Sequence, residues 1–157
     1  MITSYSNNDS EYPARIMQLV RETKKDDFSG IGVIFYVSLD FLDLTDLGRS
    51  DVASNNLPIV GTHEIASELV RSSRMSSPWH DGFHCVNVRT KKLTHMSQFV
   101  SPPLDIAKRT SVELRPTGAR QMSALLVSYL KGISGVGLLD STNSIKFYIN
   151  GRMECLV

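Results

Sequence analysis

The sequence predicts a single α/β domain, a mixed central β-sheet flanked by helices, and three observations carry that prediction. Segments with apolar residues at helical spacing alternate with short apolar runs bounded by turn residues, the pattern of helices interleaved with strands. Two pairs of those runs are joined by short polar turns and read as hairpins, which puts antiparallel strands in the sheet. The length, 157 residues, fits one domain and lets about two-thirds of the unfolded chain's surface leave water.

Taken in order, residues 1–12 read as a flexible tail and residues 13–157 as the folded domain. From Pro13 to about Lys24, Ile16, Leu19 and Val20 recur at helical spacing with basic residues opposite. Gly32–Val37 reads as a buried strand. Residues 38–60 have no strong period; they contain Gly48-Arg49-Ser50 and Asn55-Asn56-Leu57-Pro58 and read as a long connection with short elements. Thr62 opens a second helix, with Ile65, Ala66, Leu69 and Val70 on one face and Glu64, Glu68 and Arg71 on the other. His84–Arg89 and Leu93–Val100 pair around Thr90-Lys91-Lys92, and Ser101-Pro102-Pro103 stops the second strand. After a polar stretch, Gly118 opens a third helix running to about Lys131. Val136–Leu139 and Ile145–Ile149 flank the turn Asp140-Ser141-Thr142-Asn143-Ser144. Asn150-Gly151 then turns the chain into a last short strand, Met153–Val157.

Composition excludes several classes of function. Hydrophobic residues make up 41%, charged residues 21%, and the net charge is +1, so there is no broad positive field for a nucleic-acid duplex. The longest apolar runs, such as Ile31–Val37, fall far short of the roughly 20 residues a bilayer requires. The first ten residues are polar and lack the basic and apolar regions of a secretory signal. Cys85 and Cys155 make neither a disulfide framework nor a close metal-binding pair. Both read as buried, unreactive thiols, as expected in a reducing cytoplasm.

Three constellations carry possible chemistry. Pro78-Trp79-His80-Asp81-Gly82 sits between a loop and a strand. Gly82 permits close backbone approach, and His80 with Asp81 sets an imidazole beside a carboxylate, which suits a divalent cation or deprotonation of a hydroxyl. By itself an Asp-Gly at a strand start reads more readily as a turn. Arg115-Pro116-Thr117-Gly118-Ala119-Arg120 opens the third helix, where free N–H groups, the helix dipole and Arg120 favour a phosphate; the bland reading is a plain helix start. Asp140 ends an apolar strand, a position that lines crevices in open α/β sheets and equally one that forms turns. Trp79 is placed to stack on a base or to pack half-buried, and His63, His84 and His95 have no paired spacing and read as structural.

The order of these motifs resembles a known family. Thr62–Val86 contains Thr-His-Glu-Ile-Ala-Ser-Glu-Leu-Val and then Ser-Pro-Trp-His-Asp-Gly-Phe-His-Cys-Val. This is similar to the helix, loop and Leu-His-Asp-Gly-Ala strand start of diadenylate cyclases of the CdaA and DisA type. From Gly118 to Met153 the chain looks, without a gap, like that family's Gly-Thr-Arg-His-Arg-Ala-Ala helix, Ser-Glu-Glu strand end and closing Asn-Gly hairpin. The resemblance covers about residues 13–155, with residues 38–60 and 101–114 matching poorly.

The resemblance implies a site. Asp81 would activate a ribose 3′-hydroxyl, and His80 would ligate Mg or Mn with Asp140 as a second acidic ligand, if the site is active. Gly82 and Phe83 would lie against the nucleotide, and Thr117, Gly118, Ala119 and Arg120 would meet phosphate. The ligand would be ATP or a cyclic dinucleotide second messenger. Activity would require two copies face to face, hence a homodimer or larger oligomer.

The departures from the family pattern are specific. Phe83 replaces a small residue and would fill part of the base or ribose space. Arg-His-Arg has become Arg120-Gln121-Met122, and Ser-Glu-Glu has become Leu139-Asp140-Ser141. Losing a phosphate clamp of this kind removes roughly two to three powers of ten in rate. Three readings follow: a divergent nucleotide sensor with weak or no turnover, an active cyclase making cyclic di-AMP, and a structural module with its site lost.

Overall fold

The computed structural model describes residues 8–47 and 56–156. The expected tail up to residue 7, the triplet Gly48-Arg49-Ser50 and Asn55 lie outside the described residues. In chain order the elements are α1 (Asn8–Thr23), β1 (Ile31–Tyr36), β2 (Asp43–Asp46), β3 (Ile59–Val60), α2 (Thr62–Ser72), β4 (Phe83–Asn87) and β5 (Lys92–Ser101). There follow α3 (Leu104–Arg109), a 3-10 turn at Val112–Leu114, α4 (Ala119–Ser128), β6 (Ile133–Leu139), β7 (Ile145–Ile149) and β8 (Arg152–Leu156).

One mixed sheet runs through the domain in the order β2-β5-β4-β1-β6-β7-β8, with β3 also paired to β5. Only β1 and β4 run parallel; the other pairings are antiparallel. The parallel pair needs a long crossover, and the chain from β2 through α2 provides it. β1 is buried along its whole length, as expected for a central strand covered on both faces. The outer strand β2 carries Asp43 and Asp46, charges that discourage further pairing at that edge.

Alternate strand residues feed two cores. On one face Ile16, Met17 and Val20 of α1 and Ile65 and Leu69 of α2 pack on Val33, Phe35, Val86 and Phe147. On the other, Ala124, Leu125 and Val127 of α4 pack on Ile34, Tyr36, Cys85, Val136 and Tyr148. Each fully buried Ile, Leu, Met or Phe contributes about 1.5–3 kcal/mol over the exposed side chain, so the two layers hold the sheet from both sides.

Several expectations are adjusted. The first helix begins at Asn8, so Pro13 lies inside it rather than at its start, and residues 8–12 belong to the domain. The third helix stops at Ser128, where Leu130 N–H bonds the Val127 carbonyl and Gly132 turns the chain at φ +90°. The polar stretch after Pro103 contains α3 and the 3-10 turn, neither with a buried residue. Cys85 is buried as expected, but Cys155 is exposed. It sits on β8, the last strand of the sheet, whose residues Arg152–Cys155 are all exposed.

Candidate functional site

Topology gathers the predicted motifs at one end of the sheet. Because β1 and β4 are parallel, their first residues lie side by side. Because β6 is antiparallel to β1, its last residues arrive at the same end, with Ile31 opposite Leu139. Gly30, Asp81-Gly82 and Asp140 are therefore neighbours at this rim, and Arg120 from the first turn of α4 reaches the same place.

Arg120 is the most informative side chain. Its Nη1 lies 3.1 Å from where a Cβ on Gly30 would be, and Gly30 has φ +97°. A larger residue at position 30 would be strained and would press on the guanidinium. Among the described residues Arg120 makes no hydrogen bond or ion pair. Burial pushes its pKa down, and the negative charge of Asp81 opposes that shift. A partly desolvated guanidinium with no partner is an unfavourable arrangement that an anionic ligand would relieve. Gly118 caps α4 without a side-chain hydrogen bond, which leaves the N–H groups of the first turn free of a side-chain cap.

Asp81 is exposed, at 71% for its side chain, and its Oδ2 lies 3.5 Å from His80 Nε2. His80 Nδ1 is 2.6 Å from the Ser77 carbonyl oxygen. A carbonyl only accepts, so Nδ1 carries the proton and, in the neutral ring, Nε2 presents its lone pair toward Asp81. His80 and Asp81 thus offer two electron-pair donors to one gap. That suits a divalent cation shared with a ligand's phosphates, since Mg²⁺ is commonly held by one or two carboxylates plus phosphate oxygens.

Asp140 does not join them. Its Oδ1 accepts from Thr142 Oγ1 at 2.5 Å and Thr142 N at 2.9 Å, and its Oδ2 lies 3.8 Å from Lys146 Nζ. Burial pushes its carboxyl up, but the hydrogen bonds from Thr142 and Ser144 and the Lys146 charge more than offset this, leaving it below the usual carboxylate range. The turn-forming role therefore occupies the group expected as a second metal ligand. Among the described residues no cluster of three or more His, Cys, Asp or Glu side chains is placed to hold a metal.

Phe83 lies in the core. Its side chain is 5% exposed and sits on the α4 side, with its ring against Gly32. Met122 packs partly buried against the same core, and Trp79 against the core on the other face. Thr117 and Ala119 are exposed at the helix start.

Two residues essential to the site's geometry have no signature in the sequence. His84, the residue after Phe83, is fully buried; its Nδ1 accepts the Ser97 backbone N–H at 3.1 Å. Ser97 Oγ in turn donates to the Asp81 carbonyl at 2.9 Å. Ser97 has φ +52° and stands where the β4–β5 register shifts. This irregularity lets one residue hold both the His84 ring and the Asp81 backbone. Burial, with the Arg120 charge adding to it, pushes His84 down to about 3.

The two site glycines differ in kind. Gly82 has φ +79°, and a Cβ there would lie 2.7 Å from the Gln98 carbonyl oxygen and 2.8 Å from Leu47. Its role is architectural rather than to admit a ligand. Gly118 has ordinary extended backbone, φ −84° and ψ 139°, and a Cβ there would meet nothing closer than 3.7 Å. Gly82→Ala is expected to destabilise the fold by at least about 2 kcal/mol in urea denaturation. Gly118→Val is expected to fold normally and to hinder only ligand approach. Equal stability of the two variants would reject this distinction.

Comparison with known proteins supports the architecture. No protein-family model matches the chain, and no curated protein matches it. Solved structures do. A hypothetical membrane spanning protein from Bacillus cereus superposes with a TM-score of 0.62 at 17% identity, over 99% of this chain and 66% of that one. A double mutant of DacA from Staphylococcus aureus superposes with a TM-score of 0.52 at 14% identity, over 97% of this chain and 90% of that one. This chain thus spans about two-thirds of the first structure's length. What the three share is the fold: a mixed sheet between helical layers in a single α/β domain.

Proposed function

We propose that this domain is a nucleotide-binding module of the diadenylate cyclase fold that senses ATP or a cyclic dinucleotide with weak or no turnover. The observation that carries this reading is Arg120, a partly buried guanidinium with no hydrogen bond or close ion pair among the described residues, at the N-terminus of α4 beside Gly30 and near the Asp81 charge. A phosphate is the anion this combination of planar cation and helix N–H groups suits best. The likeness of the fold to DacA, a diadenylate cyclase, supports the nucleotide class. The missing second and third members of Arg-His-Arg, and the commitment of Asp140 to its turn, support weak chemistry. The burial of Phe83 removes the main argument that the site is blocked.

Isothermal calorimetry with ATP, the other nucleoside triphosphates and cyclic dinucleotides tests this reading. Saturable binding by at least one of them is expected. No heat and no thermal stabilisation with any would reject it and leave a structural interaction module.

One observation favours a second reading. The Asp81 carboxylate is exposed and lies beside His80, as a general base for a ribose hydroxyl would. Mg²⁺ or Mn²⁺ held by His80 and Asp81 together with the phosphates would supply charge neutralisation. Paired domains would then be required, since each would present one nucleotide to the other. Incubation with ATP and either metal is expected to give little or no cyclic di-AMP. Robust product that disappears in Asp81→Ala would establish the cyclase reading instead.

A further inference from the structure

A cavity lies at the other end of the sheet from Arg120, on its α1 face. Its volume is about 550 Å³, within the range typical of small-molecule sites. Pro13 and Ala14 of α1, Val88 after β4, and Phe147, Ile149 and Leu156 of the last two strands form its apolar wall. The floor is Ser134-Gly135 of β6, where the lack of a side chain on Gly135 keeps the space open: a Cβ there would lie 3.2 Å from Ile149 Cγ1. The register explains the wall. Ile145, Phe147 and Ile149 face Leu156, Glu154 and Arg152 across β7–β8, and α1 makes its main sheet contact with β6. Ile149 is consequently 40% exposed.

One charged group faces this apolar space. Glu154 lines the cavity and forms no ion pair or hydrogen bond among the described residues. A carboxylate in an apolar wall selects for a positive charge on whatever binds there. We infer that this cavity is a second binding site, separate from the Arg120 rim, for a small amphipathic molecule with an apolar body and a cationic head. The apolar body fills the space between α1 and β7–β8, and the head meets Glu154.

The experiment is isothermal calorimetry with decyltrimethylammonium or decanoate, each below its micelle concentration and without nucleotide. Decyltrimethylammonium is expected to bind saturably, and decanoate about tenfold more weakly. Glu154→Gln, an exposed substitution that leaves the fold intact, should remove the difference between the two amphiphiles. Ala14→Trp should fill the cavity and abolish binding of both. Absence of saturable binding, equal binding of cation and anion by the wild type, or a preference for the cation that survives Glu154→Gln would each overturn the proposal. If Ala14→Trp does not fold, the Glu154→Gln comparison decides alone.

Discussion

Lowering the pH from about 6.5 to about 4.5 is expected to remove about 2 kcal/mol of folding stability through His84 alone. The sign follows from the direction of the shift. An unfolded histidine titrates near 6.5, whereas burial and the Arg120 charge push folded His84 down to about 3. Between those values the unfolded chain binds a proton that the folded chain refuses. Stability from this group is therefore full above about pH 6.5 and lost progressively as pH falls toward 3. The native ring is neutral, and because Nδ1 accepts the Ser97 N–H the proton sits on Nε2, 3.5 Å from Ser72 Oγ. Charging it would break the Ser97 bond and place a second cation near Arg120. His84→Asn retains an acceptor for Ser97 N–H but leaves a void, so it should be less stable at pH 7.5 by about 1–3 kcal/mol. Its stability should then fall less steeply with acid, and the two curves should converge. Urea denaturation of both proteins across this range checks the claim. Parallel curves would show that some other group carries the acid sensitivity.

Strands β1 and β4 to β7 and helix α2 were legible because their apolar residues recur at the period of the element they form, whereas β2 and β3 fell in a stretch read as a connection. Ile65, Ala66, Leu69 and Val70 all point inward as the spacing requires, and the hairpin around Asp140–Ser144 is bounded by turn residues. The start of α1 was not legible, because Pro13 reads as a helix-opening residue although the structure places it inside the helix. Which face of the sheet Phe83 occupies was not legible. Successive residues of a strand face opposite sides, and its position in β4 puts its ring in the α4 layer, a fact that only the sheet's register reveals. Cys155 was misjudged for a related reason, since an apolar pattern does not say whether a strand is central or at the edge.

At the candidate site, Asp81, Gly82 and the Gly118–Arg120 helix start were singled out from residue type, spacing and the family resemblance together. The roles of Gly82 and Asp140 were not, because they depend on the Gln98 carbonyl and on Thr142 and Lys146. Neither Ser97 nor Gly30 was read as part of the site. A serine in an apolar strand carries no special signal until a register shift turns it toward both His84 and Asp81. Gly30 looks like a helix terminator until the Arg120 guanidinium is found against it.

Arg120→Ala is expected to weaken nucleotide binding by about 10- to 100-fold, or about 1.5–3 kcal/mol, while leaving the free protein as stable as before or slightly more so. The two halves of this prediction have one cause. An arginine that serves the fold makes hydrogen bonds or ion pairs in the free protein, and removing it is destabilising. Arg120 makes none among the described residues, yet it is partly removed from water and adds to the suppression of His84. Its presence in the free protein is therefore an electrostatic burden that the bound phosphate offsets. Arg120→Lys should recover part of the affinity, since it restores the charge without the planar fork. Calorimetry with the best nucleotide and urea denaturation without ligand measure the two quantities separately. Unchanged affinity together with a loss of more than about 2 kcal/mol in stability would make Arg120 a structural residue and remove the phosphate site. Lost affinity at unchanged stability is the signature of a side chain kept for its ligand.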